Sequence, residues 1–174
     1  MAELFIELFS EEIPARLQID ARNKIKQLIN ESLQKKEISF ESSISFSTPK
    51  RLVFFIKNIP EKIEQKKKII KGPKIDAPQS ALDGFIRSHD LKKSDVYKKK
   101  IEKGEFYFAE TKSKSIDVLN QLQTIIPEVL QNYSWKKSMK WATYELNWGR
   151  PLKSIVALFN NKVINFNFFH IQSS

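Results

Sequence analysis

The chain has no cysteine in its 174 residues. That single absence removes disulfides, thiolate metal sites and cysteine nucleophiles together, and it leaves the redox compartment undecided. Only two histidines occur, His89 and His170, too far apart in sequence to suggest a histidine metal site. No stretch reaches the ~20 apolar residues of a membrane span. The first residues carry an acidic Glu3 where a signal peptide would be basic, and no long apolar run follows. A cytoplasmic location and no membrane partner are the simplest expectations. The sequence also lacks a phosphate loop, an internal repeat, a low-complexity linker and any converging set of acid, base and nucleophile. No catalytic residue and no metal ligand is expected.

What remains is an ordinary globular composition with an unusual charge. A hydrophobic fraction of 41% is enough for a normal core, and one or two domains fit the length. The net charge is +10, which usually points to a polyanionic partner. Here only five of the thirty basic residues are arginine. Isoleucine, asparagine and phenylalanine are also abundant, and all of these share A/T-rich codons with lysine. Biased composition can therefore load lysine onto solvated faces, and each basic motif needs its own argument.

Along the chain, residues 3–9 read as a buried strand. Leu17, Ala21, Ile25, Leu28, Ile29 and Leu33 recur every three or four residues and predict an amphipathic helix over 15–36, opened by Pro14 and burying Leu28. Ile44 and Phe46 alternate with polar residues as in a half-buried strand, and Pro49 marks a turn before a second strand over 52–56. Residues 62–75 form a lysine-rich extended stretch. A short helix follows Pro78 and ends near Ser88, with Ser94 as an N-cap candidate. Val96–Glu102 and Glu105–Thr111 flank a Lys103-Gly104 turn. A second long helix is expected over 115–132, burying Leu122 and kinked or restarted at Pro127. Residues 134–150 are irregular and hold all three tryptophans. A hairpin of 152–159 and 162–168 turns at Asn160-Asn161. The fold class is α+β, antiparallel sheets with two longer amphipathic helices. Three segments are expected, 1–60, 61–112 and 113–174, either separate or as one continuous domain.

Four motifs invite a functional reading beside a structural one. Ser10-Glu-Glu-Ile-Pro14 suits a helix entrance, where carboxylates favour the positive end of the macrodipole. Ser47-Thr-Pro-Lys-Arg-Leu52 sets Lys50 and Arg51 on a turn. Arginine there can hold a phosphate in two bonds or tie the turn to a carbonyl or to Glu11 or Glu12. Lys71-Gly-Pro-Lys74, with Lys66, Lys67 and Lys68 nearby, fits either RNA backbone contact or an edge strand guarded by lysines. Trp135-Lys-Lys-Ser-Met-Lys-Trp141 interleaves Lys137 and Lys140 with aromatics, as in a base-stacking surface or a packed core with solvated lysines. Lys50, Arg51, Lys71, Lys74, Lys137 and Lys140 are thus the RNA-binding candidates. Arg150, in Trp148-Gly-Arg-Pro-Leu152, reads as a structural anchor.

Taken in order, these motifs, with Leu4-Phe-Ile-Glu-Leu-Phe-Ser-Glu-Glu-Ile-Pro-Ala-Arg16, Gly84-Phe-Ile-Arg-Ser88 and Lys103-Gly-Glu105, resemble the N-terminal part of the beta subunit of the bacterial two-subunit glycyl-tRNA synthetase. The resemblance runs from residue 2 to the last residue. It departs at Phe9-Ser10, where the wider family usually has Gly-Thr. It implies a non-catalytic part of glycine–tRNA ligase, a larger multidomain subunit of which this chain is a truncated piece. ATP and magnesium would belong to the alpha subunit, with no cofactor in this fragment. The implied partners are the alpha subunit, the tRNA for glycine and a second beta subunit. A stand-alone RNA-binding domain and a protein-contacting scaffold remain the alternatives.

Overall fold

Strand β1 (Ala2–Ser10) sets the frame of the fold. Its side chains alternate, with Leu4, Ile6 and Leu8 fully buried and Phe5, Glu7 and Phe9 half-buried on the other face. The computed structural model describes residues 1–65, 69–89, 91–101, 104–110 and 114–174. Pro14 ends the following loop with no N–H to leave unpaired, and α1 (Ala15–Lys35) begins. Ala21, Ile25, Ile29 and Leu33 form its buried stripe. Each large member of that stripe contributes roughly 1.5–3 kcal/mol by leaving water. Leu28 corrects the expectation, because it is only half-buried, one step round the helix from the stripe.

Next come β2 (Ser42–Thr48), β3 (Arg51–Ile59), β4 (Lys62–Gln65) and β5 (Ile69–Lys74). They are followed by α2 (Gln79–Ser88), β6 (Val96–Ile101), β7 (Gly104–Glu110) and β8 (Lys114–Asp117). The remaining elements are α3 (Val118–Asn132), β9 (Leu152–Phe159), β10 (Lys162–Val163), β11 (Asn167–Phe168) and β12 (Ile171–Gln172). Among the described residues this is an α+β architecture whose sheet pairings are antiparallel wherever a ladder register is resolved. The residues divide into unit 1, Met1–Ile63 with Ile116–Ser174, and unit 2, Glu64–Ser115.

Unit 1 is built on a five-stranded sheet in the order β10-β9-β1-β3-β2. Its inner face, with Leu52, Phe54, Ile56, Ile155, Ala157 and Phe159, joins the stripes of α1 and α3 in one core. On β2 the expected half-burial of Ile44 and Phe46 is reversed. Both are exposed, at 41% and 55%, and serines face the helix instead. The pairing of β2 to β3 fixes this: Ile44 lies opposite Phe55 and Phe46 opposite Val53, on the outer face. Short serines on the inner side let α1 approach the edge strand, where Arg22 donates to Ser47 Oγ at 3.3 Å. The outer face thus carries Phe5, Phe9, Val53, Phe55, Val156, Leu158 and Val163 beside Ile44 and Phe46, with Glu7, Arg51 and Lys57 among them.

Helix α3 starts later than the periodicity implies. Asp117 caps it by accepting from the Leu119 amide at 2.9 Å, so Ile116 falls in β8. The helix runs through Pro127 and buries Leu122, Ile125, Ile126, Val129 and Leu130. The strand expected over 162–168 breaks after Val163. Buried Ser173 explains the break: its Oγ accepts from the Phe166 amide and reaches the Ile164 and Phe166 carbonyls, at 2.7–3.1 Å.

Unit 2 is a three-stranded sheet, β5-β7-β6, with α2 against β5. A Cβ on Gly72 would lie 2.9 Å from the Phe85 ring, so glycine admits that close approach. The Ser94 cap does not form, because Ser94 lies inside the 3-10 turn Lys93–Asp95 and the Lys92 amide donates to Asp95.

Candidate nucleic-acid interface

The register of unit 2 brings cations and aromatics onto one sheet face. Phe106 lies opposite Lys74 on β5 and Lys99 on β6, and Phe108 lies opposite Lys71 and Tyr97. Residues directly opposite share a face, so Lys71, Lys74, Lys99, Tyr97, Phe106 and Phe108 stand together. Lys71 Nζ sits 3.6 Å above the centre of the Phe106 ring, and Lys74 Nζ lies 5.8 Å from it. Lys99 Nζ lies 5.9 Å from the Phe108 ring. Tyr97 stacks on Phe108 at 6.2 Å with 25° between planes, and Tyr97 is 39% exposed. Ring faces hold the ammonium groups by their quadrupole, roughly 0.5–1 kcal/mol each at an exposed site, while the charges stay in water. Ile69 and Glu110 close the far end of this face. Such an arrangement can neutralise phosphates and stack on an unpaired base.

Lys71 and Lys74 are therefore brought together, and the irregularity between them in the β5–β7 ladder lets both reach the same ring. Lys66, Lys67 and Lys68, named with them in the motif, lie outside the described residues, as does Lys103 of the Lys103-Gly104 turn. Sequence reading missed Lys99, Tyr97, Phe106 and Phe108. Their alternation along two strands was visible, but the register that opposes them to Lys71 and Lys74 was not.

Lys50 and Arg51 belong to another cluster, at one end of the unit 1 sheet. The Arg51 Nε donates to Glu7 at 3.3 Å, and its guanidinium lies 4.7 Å from the Phe9 ring centre. The tie to Glu11 or Glu12 is thus corrected to Glu7, which the β1–β3 register sets nearly opposite. Glu11 pairs instead with Lys153 at 2.5 Å. That bond, then the Lys153 charge and more weakly Lys50, holds the Glu11 carboxyl below its ordinary range. The turn is further fixed by amides of Ser10 and Ile13 donating to the Lys50 and Pro49 carbonyls.

Lys137 and Lys140 are exposed on the loop between α3 and β9. Trp135 and Trp148 are buried there in edge contact at 5.2 Å, and Tyr133 lies 5.1 Å from Trp135. Burial, with the nearby Asp20 charge, pushes the Tyr133 hydroxyl up to about 12. Met139 is 40% exposed, and its backbone bridges to Trp148. Among the described residues no three His, Asp or Glu side chains group as a metal site, and no helix is long and apolar enough to cross a membrane.

Comparison with known proteins agrees with the ordered motifs. A family profile described as glycyl-tRNA synthetase beta subunit matches residues 4–174. The glycine–tRNA ligase beta subunit of Rickettsia felis is 35% identical over 174 residues, which is 100% of this chain and 26% of that protein. The corresponding subunit of Paracoccus denitrificans is 35% identical over 162 residues, covering 93% of this chain and 24% of its own length. The chain spans about a quarter of the length of these relatives.

Proposed function

The chain belongs to the family of glycyl-tRNA synthetase beta subunits, and on that premise we propose that it serves the ATP-dependent attachment of glycine to its tRNA by holding the tRNA, without a chemical step of its own. The observation that carries the reading is the unit 2 face, where Lys71, Lys74 and Lys99 are held over Phe106 and Phe108. A sheet face that carries these charges beside the exposed Tyr97 ring suits an RNA backbone and an unstacked base. The alpha subunit then supplies adenylate formation with ATP and magnesium, in the cytoplasm. Lys50 and Arg51 bind more weakly in this reading, because carboxylates already engage their turn.

The test is tRNA binding across a salt series. Lys71→Gln, Lys74→Gln and Lys99→Gln together are expected to weaken binding and to flatten the salt dependence by about one unit of slope per phosphate no longer neutralised. Lys24, Lys26 and Lys35 on α1, with Lys36 at its C-cap, changed likewise, serve as the control for bulk charge. Equal weakening in both sets would defeat the proposal.

A second role, in subunit assembly, is favoured by the outer face of the unit 1 sheet, with Ile44 and Phe46 open to solvent. Ile44→Ser with Phe46→Ser should then weaken association with the alpha subunit or a second beta subunit in sedimentation, leaving tRNA affinity unchanged.

A further inference from the structure

The start of α1 and the tryptophan loop enclose a cleft of about 480 Å³ in unit 1. Its rim carries Arg16, Lys136, Lys137 and Arg150, and its only carboxylate is Asp20. Lys136 pairs with Asp20. That leaves three cations in excess, and neither Arg16 nor Lys137 forms an ion pair with any described residue. Pro14 and Leu17 supply apolar surface, joined by the aliphatic stems of the basic side chains. The positive end of α1 adds to the charge, since its first turn has no acidic residue and its N-cap, Pro14, makes no side-chain cap.

The cleft is also braced. A Cβ on Gly149 would fall 2.3 Å from the Trp135 ring, so the indole lies directly against the Gly149 backbone. This packing pins Lys136 and Lys137, which follow Trp135, beside Arg150, which follows Gly149. Two hydrogen bonds between Met139 and Trp148, at 2.8 and 3.1 Å, close the same loop. The Arg150 Nη1 donates to the Gly149 carbonyl at 2.9 Å, which holds the guanidinium in place.

We propose that this cleft binds one unpaired nucleotide of an RNA strand, its phosphate held by Arg16, Lys137 and Arg150 and its base against Pro14 and Leu17. The volume lies in the ~300–1,000 Å³ range of small-ligand pockets. Guanidinium planes stack on bases as well as bonding phosphates, so arginines at two edges suit a nucleotide better than a simple anion. The choice of ligand rests on reading the chain as an RNA-binding region. The site lies within unit 1 and shares no residue with the unit 2 face.

The experiment measures binding of a labelled single-stranded RNA oligonucleotide to the 174-residue chain over a salt series. Arg16→Gln with Lys137→Gln, both at exposed positions, is expected to lower affinity by about tenfold and to reduce the salt slope by about 0.7 for each phosphate pairing removed. Asp20→Asn removes the competing carboxylate and releases Lys136, so it should tighten binding, which a purely structural role would not do. Wild-type affinity and slope in the double variant would overturn the cleft, whatever the Lys71, Lys74 and Lys99 variant shows. Weakening in the cleft variant alone would uphold the cleft and remove the unit 2 face. Equal weakening in a Lys24→Gln, Lys26→Gln control would overturn it as bulk charge. Adenosine monophosphate binding as tightly as the oligonucleotide would overturn the RNA assignment in favour of a free nucleotide.

Discussion

Unit 1 buries whole side chains from its sheet and from α1 and α3 against one another, down to Trp148, Phe54 and Ile25 at 0–1% exposure. Among the described residues of unit 2, the buried apolar side chains are Leu91, Phe106 and Ala109, and α2 buries none. The two units also use aromatic rings differently. In unit 1, Trp135 and Trp148 are closed off by other rings and by the Gly149 backbone. In unit 2, the Phe106 ring has the Lys71 ammonium 3.6 Å over its centre and that of Lys74 at 5.8 Å. A ring sealed by rings is committed to stability. A ring sealed by lysines is shielded by groups that can turn toward another partner, because their rotamers are free and their charges already face water. The contrast separates a part closed by packing from a part whose ring contacts are made by solvated lysines.

The largest effect expected from this contrast is in unit 1. Leu122→Ala should cost about 2–5 kcal/mol, because Leu122 is fully enclosed. Leu28→Ala, at the half-buried rim of α1, should cost well under that. Urea denaturation of both variants checks the difference, and equal midpoints would mean that enclosure in this core does not set the cost of truncation.

A smaller destabilisation is expected at the tryptophan clasp. Gly149→Ala must push the Trp135 ring aside, an overpacking cost of about 1–3 kcal/mol. Near-ultraviolet circular dichroism should lose the signal of the Trp135–Trp148 pair along with the stability. An unaltered spectrum would show that the loop gives way freely, and the distinction between a sealed and an open aromatic cluster would then fail.

The smallest effect is expected in unit 2. Replacing Lys71, Lys74 and Lys99 with glutamine should change stability by no more than about 1 kcal/mol for each cation–ring pair removed, since the ammonium groups remain solvated. Thermal melts should shift little while RNA affinity falls. A collapse of the melting transition would make these lysines structural and erase the contrast between the units.

Much of the fold was legible where one period ran uninterrupted. The three- and four-residue spacing from Leu17 to Leu33 marked α1, and the paired runs about Lys103-Gly104 marked β6 and β7. Legibility failed where a neighbour distant in sequence decided the outcome. Ile44 and Phe46 alternate correctly, yet the phase of that alternation depends on α1 lying over the serine side. The motif offers Arg51 either as a phosphate contact or as a tie, and its partner Glu7 follows only from the β1–β3 register. The break after Val163 depends on Ser173, nine residues beyond Ile164. The candidate sites show the same division. Lys71 and Lys74 could be named from a local motif. The rings beneath them come from β7, and the basic cleft joins residues 16, 137 and 150, which no local pattern links.

Trp135, Trp141 and Trp148 all lie in unit 1, and the segment Glu64–Ser115 contains no tryptophan. Excitation at the red edge of indole absorption therefore illuminates one unit and leaves the other dark. Emission on titration with denaturant follows unit 1, whereas far-ultraviolet ellipticity follows the backbone of both. Wherever the two curves separate, the difference is the melting of unit 2, obtained without any label. The tyrosines of unit 2, Tyr97 and Tyr107, remain available as its own weaker chromophores.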